Sequence, residues 1–173
     1  MKKGHINIEV KARCSDFTQI RRVLRSHHAK YTGCDHQIDT YFKVKRGRLK
    51  IREGNIENNL IFYNRSDKKG IKQSNIILMK NIAQSPLKEI FNKALGVLVV
   101  VDKQRNIFFI GNIKFHLDTV KYLGSFVEIE AIDYLNKIGK KKLTQQVNMY
   151  LKLFGIQKKD MISKSYSDLL LKN

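Results

Sequence analysis

His5-Ile6-Asn7-Ile8-Glu9-Val10-Lys11-Ala12-Arg13 alternates apolar and polar side chains without a break. Side chains two apart in a strand share a face. The stretch is therefore a predicted strand with Ile6, Ile8, Val10 and Ala12 on one side and Asn7, Glu9, Lys11 and Arg13 on the other. The apolar side asks for a core, and the polar side lines up a carboxylate with two cations.

The same pattern recurs down the chain. From about His36 it runs through Gln37-Ile38-Asp39-Thr40-Tyr41-Phe42-Lys43-Val44, turns at Arg46-Gly47, and returns as Arg48-Leu49-Lys50-Ile51-Arg52, with three cations on one face. Glu53 to Asn59 reads as a Gly/Asn-rich loop, Leu60 to Arg65 as a strand with Tyr63 and Arg65 on its polar face, and Ser66 to Gln73 as a polar loop. Asn75 to Lys80 is a further strand. In Val97 to Phe109 the cations Lys103 and Arg105 share a side, and Gly111-Asn112 is a hairpin turn. Ile113 to Val120 aligns Lys114, His116 and Asp118, and Phe126 to Asp133 aligns Glu128 with Glu130.

Helices interrupt the strands. Ser15 or Asp16 can cap one whose Phe17, Ile20, Val23 and Leu24 share a face. Ser85-Pro86 opens a second, expected to bury Leu87, Ile90, Phe91, Ala94 and Leu95 and to stop at Gly96. A third starts near Lys140 with Leu143, Val147, Leu151 and Phe154 at helical spacing, and Ser165 to Leu171 forms a short helix. With no repeat, linker or break in composition, residues 1–173 read as one α+β domain built on an antiparallel sheet.

Of the 173 residues, 34 are Lys or Arg against 15 Asp or Glu, a net charge of +19, and 42% are hydrophobic. That much apolar content supports a packed core, while the charge points to nucleic acid, an anionic membrane or small polyanions. The longest apolar run, Val97 to Val101, is far short of the ~20 residues that span a bilayer, so no membrane association is expected. No signal-peptide core follows Met1-Lys2-Lys3, and Cys14 and Cys34 make neither a disulfide framework nor a zinc site. A cytoplasmic location follows, which makes the sequon Asn64-Arg65-Ser66 an accident of composition. The basic runs Lys140-Lys141-Lys142 and Lys158-Lys159 read as solvated charge. Nucleic acid is a secondary partner, because no helix-turn-helix, zinc-finger or aromatic RNA-binding signature is present.

A charged strand face ordinarily meets water. With so many strands sharing the pattern, a second arrangement is open: the sheet closes into a barrel, helices cover its outside, and the charged faces turn inward around a polyanion and its metal. Buried charges need partners, and these faces carry both signs.

Taken in order, Asn7-Ile8-Glu9-Val10-Lys11, Gln37-x-Asp39-Thr40-Tyr41-Phe42, Gly47-Arg48-Leu49-Lys50-Ile51-Arg52-Glu53, Leu60-Ile61-x-Tyr63-x-Arg65, Lys103-x-Arg105, His116-Leu117-Asp118 and Leu123-Gly124-x-Phe126-x-Glu128-x-Glu130 resemble the motifs of the CYTH family. These are the triphosphate tunnel metalloenzymes, which include class IV adenylyl cyclases and thiamine triphosphatases. The resemblance implies an eight-stranded antiparallel β-barrel, or tunnel, with a charged lumen and helices packed outside. Such a lumen binds a triphosphate with Mg²⁺ or Mn²⁺. Carried across by position, Lys11, Lys50, Arg52, Arg65, Lys103 and Arg105 would hold phosphate, with Arg13 and Arg48 as further members. Glu9, Asp118, Glu128 and Glu130 would face the metal. Glu9, Lys11 and Tyr63 are the candidate catalytic residues, with Tyr63 read equally as lining the lumen, and His116 is read as structural. Asn7 departs from the family pattern, which has a carboxylate there, and this puts a second metal and the activation of water in question.

The implied function is a metal-dependent triphosphatase acting on ATP, thiamine triphosphate or tripolyphosphate, as a monomer or homodimer. Hydrolysis is preferred because no motif is assignable to adenine recognition. The alternatives are a cyclase making cAMP and pyrophosphate from ATP, and a non-catalytic binder of polyphosphate or nucleic acid.

Overall fold

A computed structural model describes residues 5–65, 70–80, 85–135 and 137–172. Eight strands, β1 (His5–Arg13), β2 (Lys30–Phe42), β3 (Arg48–Gly54), β4 (Asn59–Arg65), β5 (Lys72–Lys80), β6 (Val97–Ile110), β7 (Ile113–Val120) and β8 (Gly124–Asp133), close into one barrel in the order β1-β5-β4-β3-β2-β6-β7-β8. Every neighbouring pair is antiparallel. The helices are α1 (Thr18–Ser26), α2 (Leu87–Leu95), α3 (Lys140–Leu153) and α4 (Tyr166–Leu170).

The alternation in β1 decides which face points where. Ile8, Val10 and Ala12 join Phe115 and Leu117 of β7 and Val127, Ile129 and Ala131 of β8 on the outside of the barrel, beneath Ile20 and Leu24 of α1 and Leu143, Val147, Tyr150 and Leu151 of α3. Burying each large side chain of this kind contributes about 1.5–3 kcal/mol, so the main core lies between the barrel wall and its helices. The N-cap of α1 is Phe17 rather than Ser15 or Asp16, and Asp16, one position before it, accepts the Thr18 N–H at 2.8 Å; Gly111, at φ +56°, makes the β6–β7 turn.

Because the apolar faces look outward, the polar faces look in, and the register pairs their charges. Glu9 stands opposite Glu130 and Lys11 opposite Glu128; Asp39 is opposite Arg52, and Arg105 opposite Asp118. A smaller cluster of Tyr41, Val101, Val120, Leu123, Phe126 and Tyr166 is fixed by α4, whose start is a capping box between Ser165 and Asp168. Just before α4, the chain runs along β1 beyond the end of its pairing with β5. The Arg13 N–H donates to the Asp160 carbonyl and the Ile162 N–H to the Lys11 carbonyl, each at 2.9 Å. Lys72 ties this strap down by donating to the Ser163 carbonyl at 2.6 Å.

Some expectations need correction. The second helix forms where its start signals placed it, but buries none of Leu87, Ile90, Phe91, Ala94 and Leu95. Its anchor is an edge-on contact between Phe91 and Phe42 of β2, with ring centroids 5.4 Å apart. β2 starts at Lys30 and β5 at Lys72, each earlier than the alternation suggested. Of the expected loop from Ser66 to Gln73, residues 66–69 lie outside the described residues. Among the described residues, no helix is long and apolar enough to cross a membrane.

Candidate active site in the barrel lumen

The barrel encloses a cavity of about 450 Å³. One wall is organised around Asp39, which is 1% exposed. Its carboxylate accepts from Lys50 Nζ at 2.8 Å, from Lys103 Nζ at 2.6 Å, and from Arg52 Nε and Nη2 at 2.8 and 3.1 Å. Three cations on one carboxylate hold Asp39 well below the usual carboxylate range, against the opposing effect of burial. Lys103 is pushed down by burial and by its cationic neighbours Arg52, Arg105 and Lys50. This wall has more positive than negative charge, which suits an anion.

On the neighbouring strands Arg105 forks Asp118 with Nε and Nη2 at 2.7 and 2.6 Å and reaches Glu128 at 2.9 Å. The Tyr166 hydroxyl also donates to Asp118, at 2.7 Å. Lys11 Nζ lies 3.2 Å from Glu128 and 3.5 Å from the centre of the Tyr166 ring, an ion pair combined with a cation–π contact.

The opposite charge gathers at His116, Glu128 and Glu130, whose donor atoms can lie within 4.8 Å of one another. His116 Nδ1 is 3.2 Å from Glu128. Burial, with Arg105 and Lys114 nearby, pushes the imidazole down to about 3, so it is neutral at pH 7 and able to ligate. Burial and the adjoining carboxylates of Glu128 and Glu9 push Glu130 up to about 7. Asn7 donates to Glu130 at 3.4 Å. A divalent cation fits this group: two carboxylates and an imidazole converge, the crowded carboxylates need positive charge, and the buried atoms His116 Nε2 and Asn7 Oδ1 have no hydrogen-bond partner among the described residues.

Toward the mouth, Glu57 in the β3–β4 loop bridges Arg52, at 2.8 Å, and Lys114 of β7. Ile61, Ile76, Leu78, Phe109, Ile132 and Tyr134 give this part of the cavity an apolar lining.

Of the residues singled out from the sequence, Glu9, Lys11, Lys50, Arg52, Tyr63, Arg105, Glu128 and Glu130 line this cavity together. Lys103 and Asp118 are fully buried in its wall. Arg65 has its backbone in β4, and its side chain lies outside the described residues. Arg13 donates to the Leu123 carbonyl at 3.1 Å, and Arg48 pairs with Asp168 of α4 at 2.8 Å. Sequence reasoning gave no site role to Asp39, Glu57, Lys114 or Tyr166 and read His116 as structural, yet all five contact the charged groups just described. The inward parity of Asp39, Lys114 and His116 was visible in the alternation; Glu57 and Tyr166 sit outside the strands and gave no periodic signal.

A model described as "CYTH domain" matches residues 5–166. Among solved structures, the PH1012 protein of Pyrococcus horikoshii OT3 superposes with a TM-score of 0.76 at 27% identity, covering 94% of this chain and 98% of that one. A candidate adenylate cyclase of Vibrio parahaemolyticus gives 0.69 at 16% identity over 98% and 99% of the two chains. The candidate adenylyl cyclase HpAC1 of Hippeastrum, described as having a dominant triphosphatase activity, gives 0.62 at 14% over 96% and 94%. These last two likenesses show the fold alone. No curated protein matches the sequence. With the family model spanning nearly the whole chain and the barrel carrying its charged motifs inward, the protein belongs to the CYTH domain family, the triphosphate tunnel metalloenzymes.

Proposed function

We propose that this chain is a metal-dependent triphosphatase that hydrolyses an organic or inorganic triphosphate in the barrel lumen. The observation that carries the reading is the segregation of charge inside one cavity. Lys50 and Arg52 of β3 and Lys103 of β6 converge on one wall, and His116, Glu128 and Glu130 converge on another. A phosphate chain laid between them would be held by the cations along its length, with one phosphorus presented to the carboxylate side.

Phosphoryl transfer needs mainly positioning and charge stabilisation. Arg52 and Arg105 supply planar forks for bidentate contacts, and Lys11 and Lys50 supply point charges. His116, Glu128 and Glu130 would hold Mg²⁺ or Mn²⁺, and the imidazole suits the transition ion. Bound there, the cation would neutralise charge developing on phosphate oxygens. Asn7 offers an amide rather than a carboxylate and accordingly favours a single cation. In the balanced reaction water attacks the terminal phosphorus, the bond to the bridging oxygen breaks to release the remaining phosphate chain, and the water proton passes to a lumen carboxylate outside the metal cluster, for which Glu9 is the candidate.

The test is incubation of the protein with tripolyphosphate, ATP and thiamine triphosphate under Mg²⁺ or Mn²⁺, with orthophosphate, pyrophosphate and cAMP all quantified. Orthophosphate release that is lost in Glu130→Gln is expected. Pyrophosphate with cAMP from ATP would shift the reading to the cyclase, and absence of any turnover would leave a binding protein.

A further inference from the structure

Arg52 is the cation through which the anion-holding wall reaches the mouth, and all of its nitrogens are already engaged by carboxylates. Nε and Nη2 serve Asp39, and Nη1 donates to Glu57 at 2.8 Å. The other Glu57 oxygen accepts from Lys114, on the opposite side of the mouth. One carboxylate thus spans two cations as a phosphoryl group would.

The two partners of Arg52 differ in their freedom to leave. The Asp39 side chain is 2% exposed and pinned by three cations, whereas that of Glu57 is 20% exposed. The loop backbone beneath Glu57 is fixed separately. Asp35, fully buried, accepts the N–H groups of Ile56 and Glu57 at 2.8 and 3.0 Å. Gly54 leaves room for this arrangement, since a Cβ there would lie 2.6 Å from Asp35 Oδ1. The Glu57 oxygen held by Arg52 also accepts from the buried Gln37 amide at 3.2 Å, so a side chain that rotates away gives up one neutral hydrogen bond besides its two cations, while its backbone stays in place.

We propose that Glu57 is a specificity-determining residue, a built-in competitor for the outermost phosphoryl position, which an incoming anion must displace from Arg52 and Lys114. Lone orthophosphate gains only those two cations and loses the contest. A chain of linked phosphoryl groups also engages Lys50, Lys11 and Arg105, and the linkage turns the last contact into an intramolecular event. Glu57 thereby selects condensed phosphates over orthophosphate. This inference rests on the triphosphate reading above.

Calorimetric titration with tripolyphosphate, and separately with orthophosphate, tests it on the wild type and Glu57→Gln, alongside wild-type turnover with Mn²⁺. The variant is expected to bind tripolyphosphate about tenfold tighter or more and to bind orthophosphate measurably where the wild type does not. Unchanged or weaker affinities in the variant overturn the proposal, and if wild-type turnover is intact they do so without touching the enzymatic reading. Tighter binding without any turnover sinks the enzymatic reading alone, and absence of tripolyphosphate binding in both proteins sinks both. Should Glu57→Gln not fold, Glu57→Asp is one methylene too short to bridge both cations. It must show the same tightening, and its failure to do so is equally decisive.

Discussion

Replacing Asp39 by Asn should reveal how the lumen is held together. The substitution keeps the shape but removes the one charge shared by Lys50, Arg52 and Lys103, whose nearest nitrogens lie 2.6–2.8 Å from its oxygens. Deleting one member of a buried charge cluster costs about 3–5 kcal/mol, and a chain of this length loses roughly 2–4 °C of Tm per kcal/mol, so the melting temperature should fall by about 6–20 °C. Lys103, already pushed down by burial and its cationic neighbours, is the group positioned to relieve the excess by losing its proton. Its folded-state value lies below the unfolded one, so the unfolded chain binds more protons in the interval between them and stability rises with pH there. The variant's deficit should therefore shrink as the pH rises toward the ordinary lysine range. Tripolyphosphate should act in the same direction by supplying the missing negative charge; at a hundred times its Kd a ligand adds about 2.7 kcal/mol, so the variant should gain more from it than the wild type. Circular dichroism melts with and without tripolyphosphate are the assay. A Tm within about 2 °C of wild type, or an equal ligand-induced shift in the two proteins, would refute the view of Asp39 as the hub of an anion-holding wall.

Glu130→Gln is expected to lower turnover by at least about 100-fold and to weaken Mn²⁺ binding measured by titration, since one of the two carboxylates of the metal cluster is neutralised; retained binding would remove Glu130 from the site. Asn7→Glu restores a carboxylate beside Glu130 and should raise the Mn²⁺ stoichiometry from one to two, whereas an unchanged stoichiometry would show that position 7 does not set the metal count. Acid should destabilise the metal-free protein. His116, pushed down to about 3, binds fewer protons folded than unfolded from about pH 6.5 downward, and Asp39, held well below its usual range, adds the same sign below about pH 4. Glu130, pushed up to about 7, has the opposite sign between about pH 7 and pH 4.5 and offsets His116 there, so the wild-type melting temperature is expected to stay nearly level down to about pH 4.5 and to fall below it, whereas His116→Gln, left with Glu130 alone, should gain stability as the pH falls over that interval. A His116→Gln Tm as level as the wild type's between about pH 7 and pH 4.5 would contradict a buried neutral imidazole.

The strands were legible because a barrel wall has two unlike sides. In β1, β3, β7 and β8 the alternation of Ile8 with Glu9, Lys50 with Ile51, His116 with Leu117 and Glu128 with Ile129 states which residues share a face. It does not state which face is inside, and only the full run of charged faces, with the family resemblance, argued for inward charge. Asp39 had the parity of Tyr41 and sat in a quoted motif, but nothing local says that one carboxylate will serve cations 11, 13 and 64 positions away. Glu57 lies in a loop, where spacing carries no face information, and Arg48 meets Asp168 across 120 residues. The misreading of α2 has another cause. Its periodicity correctly gives a helix with an apolar side, but periodicity cannot supply an element to cover that side, and Ile90 remains 50% exposed.

The net charge of +19 takes on a different meaning once the lumen is resolved. Among the described residues that line the cavity or its wall, Lys11, Lys50, Arg52, Lys103, Arg105 and Lys114 face an equal number of carboxylates, Glu9, Asp39, Glu57, Asp118, Glu128 and Glu130. These residues contribute nothing to the formal excess, which therefore resides elsewhere, for example on exposed Arg22 and Arg25 of α1 and Lys140, Lys141 and Lys142 of α3. A lumen balanced in this way is not a simple sink for anions. A triphosphate entering alone would upset the balance, and so would a divalent cation entering alone, because burying unpaired charge is costly. Entering together they offset one another, and the cations and carboxylates of the lumen can part to serve them. The outer charge acts at longer range, raising the local concentration of anions within a Debye length of about 8 Å at physiological salt. Attraction thus belongs to the surface, and discrimination belongs to the paired charges within.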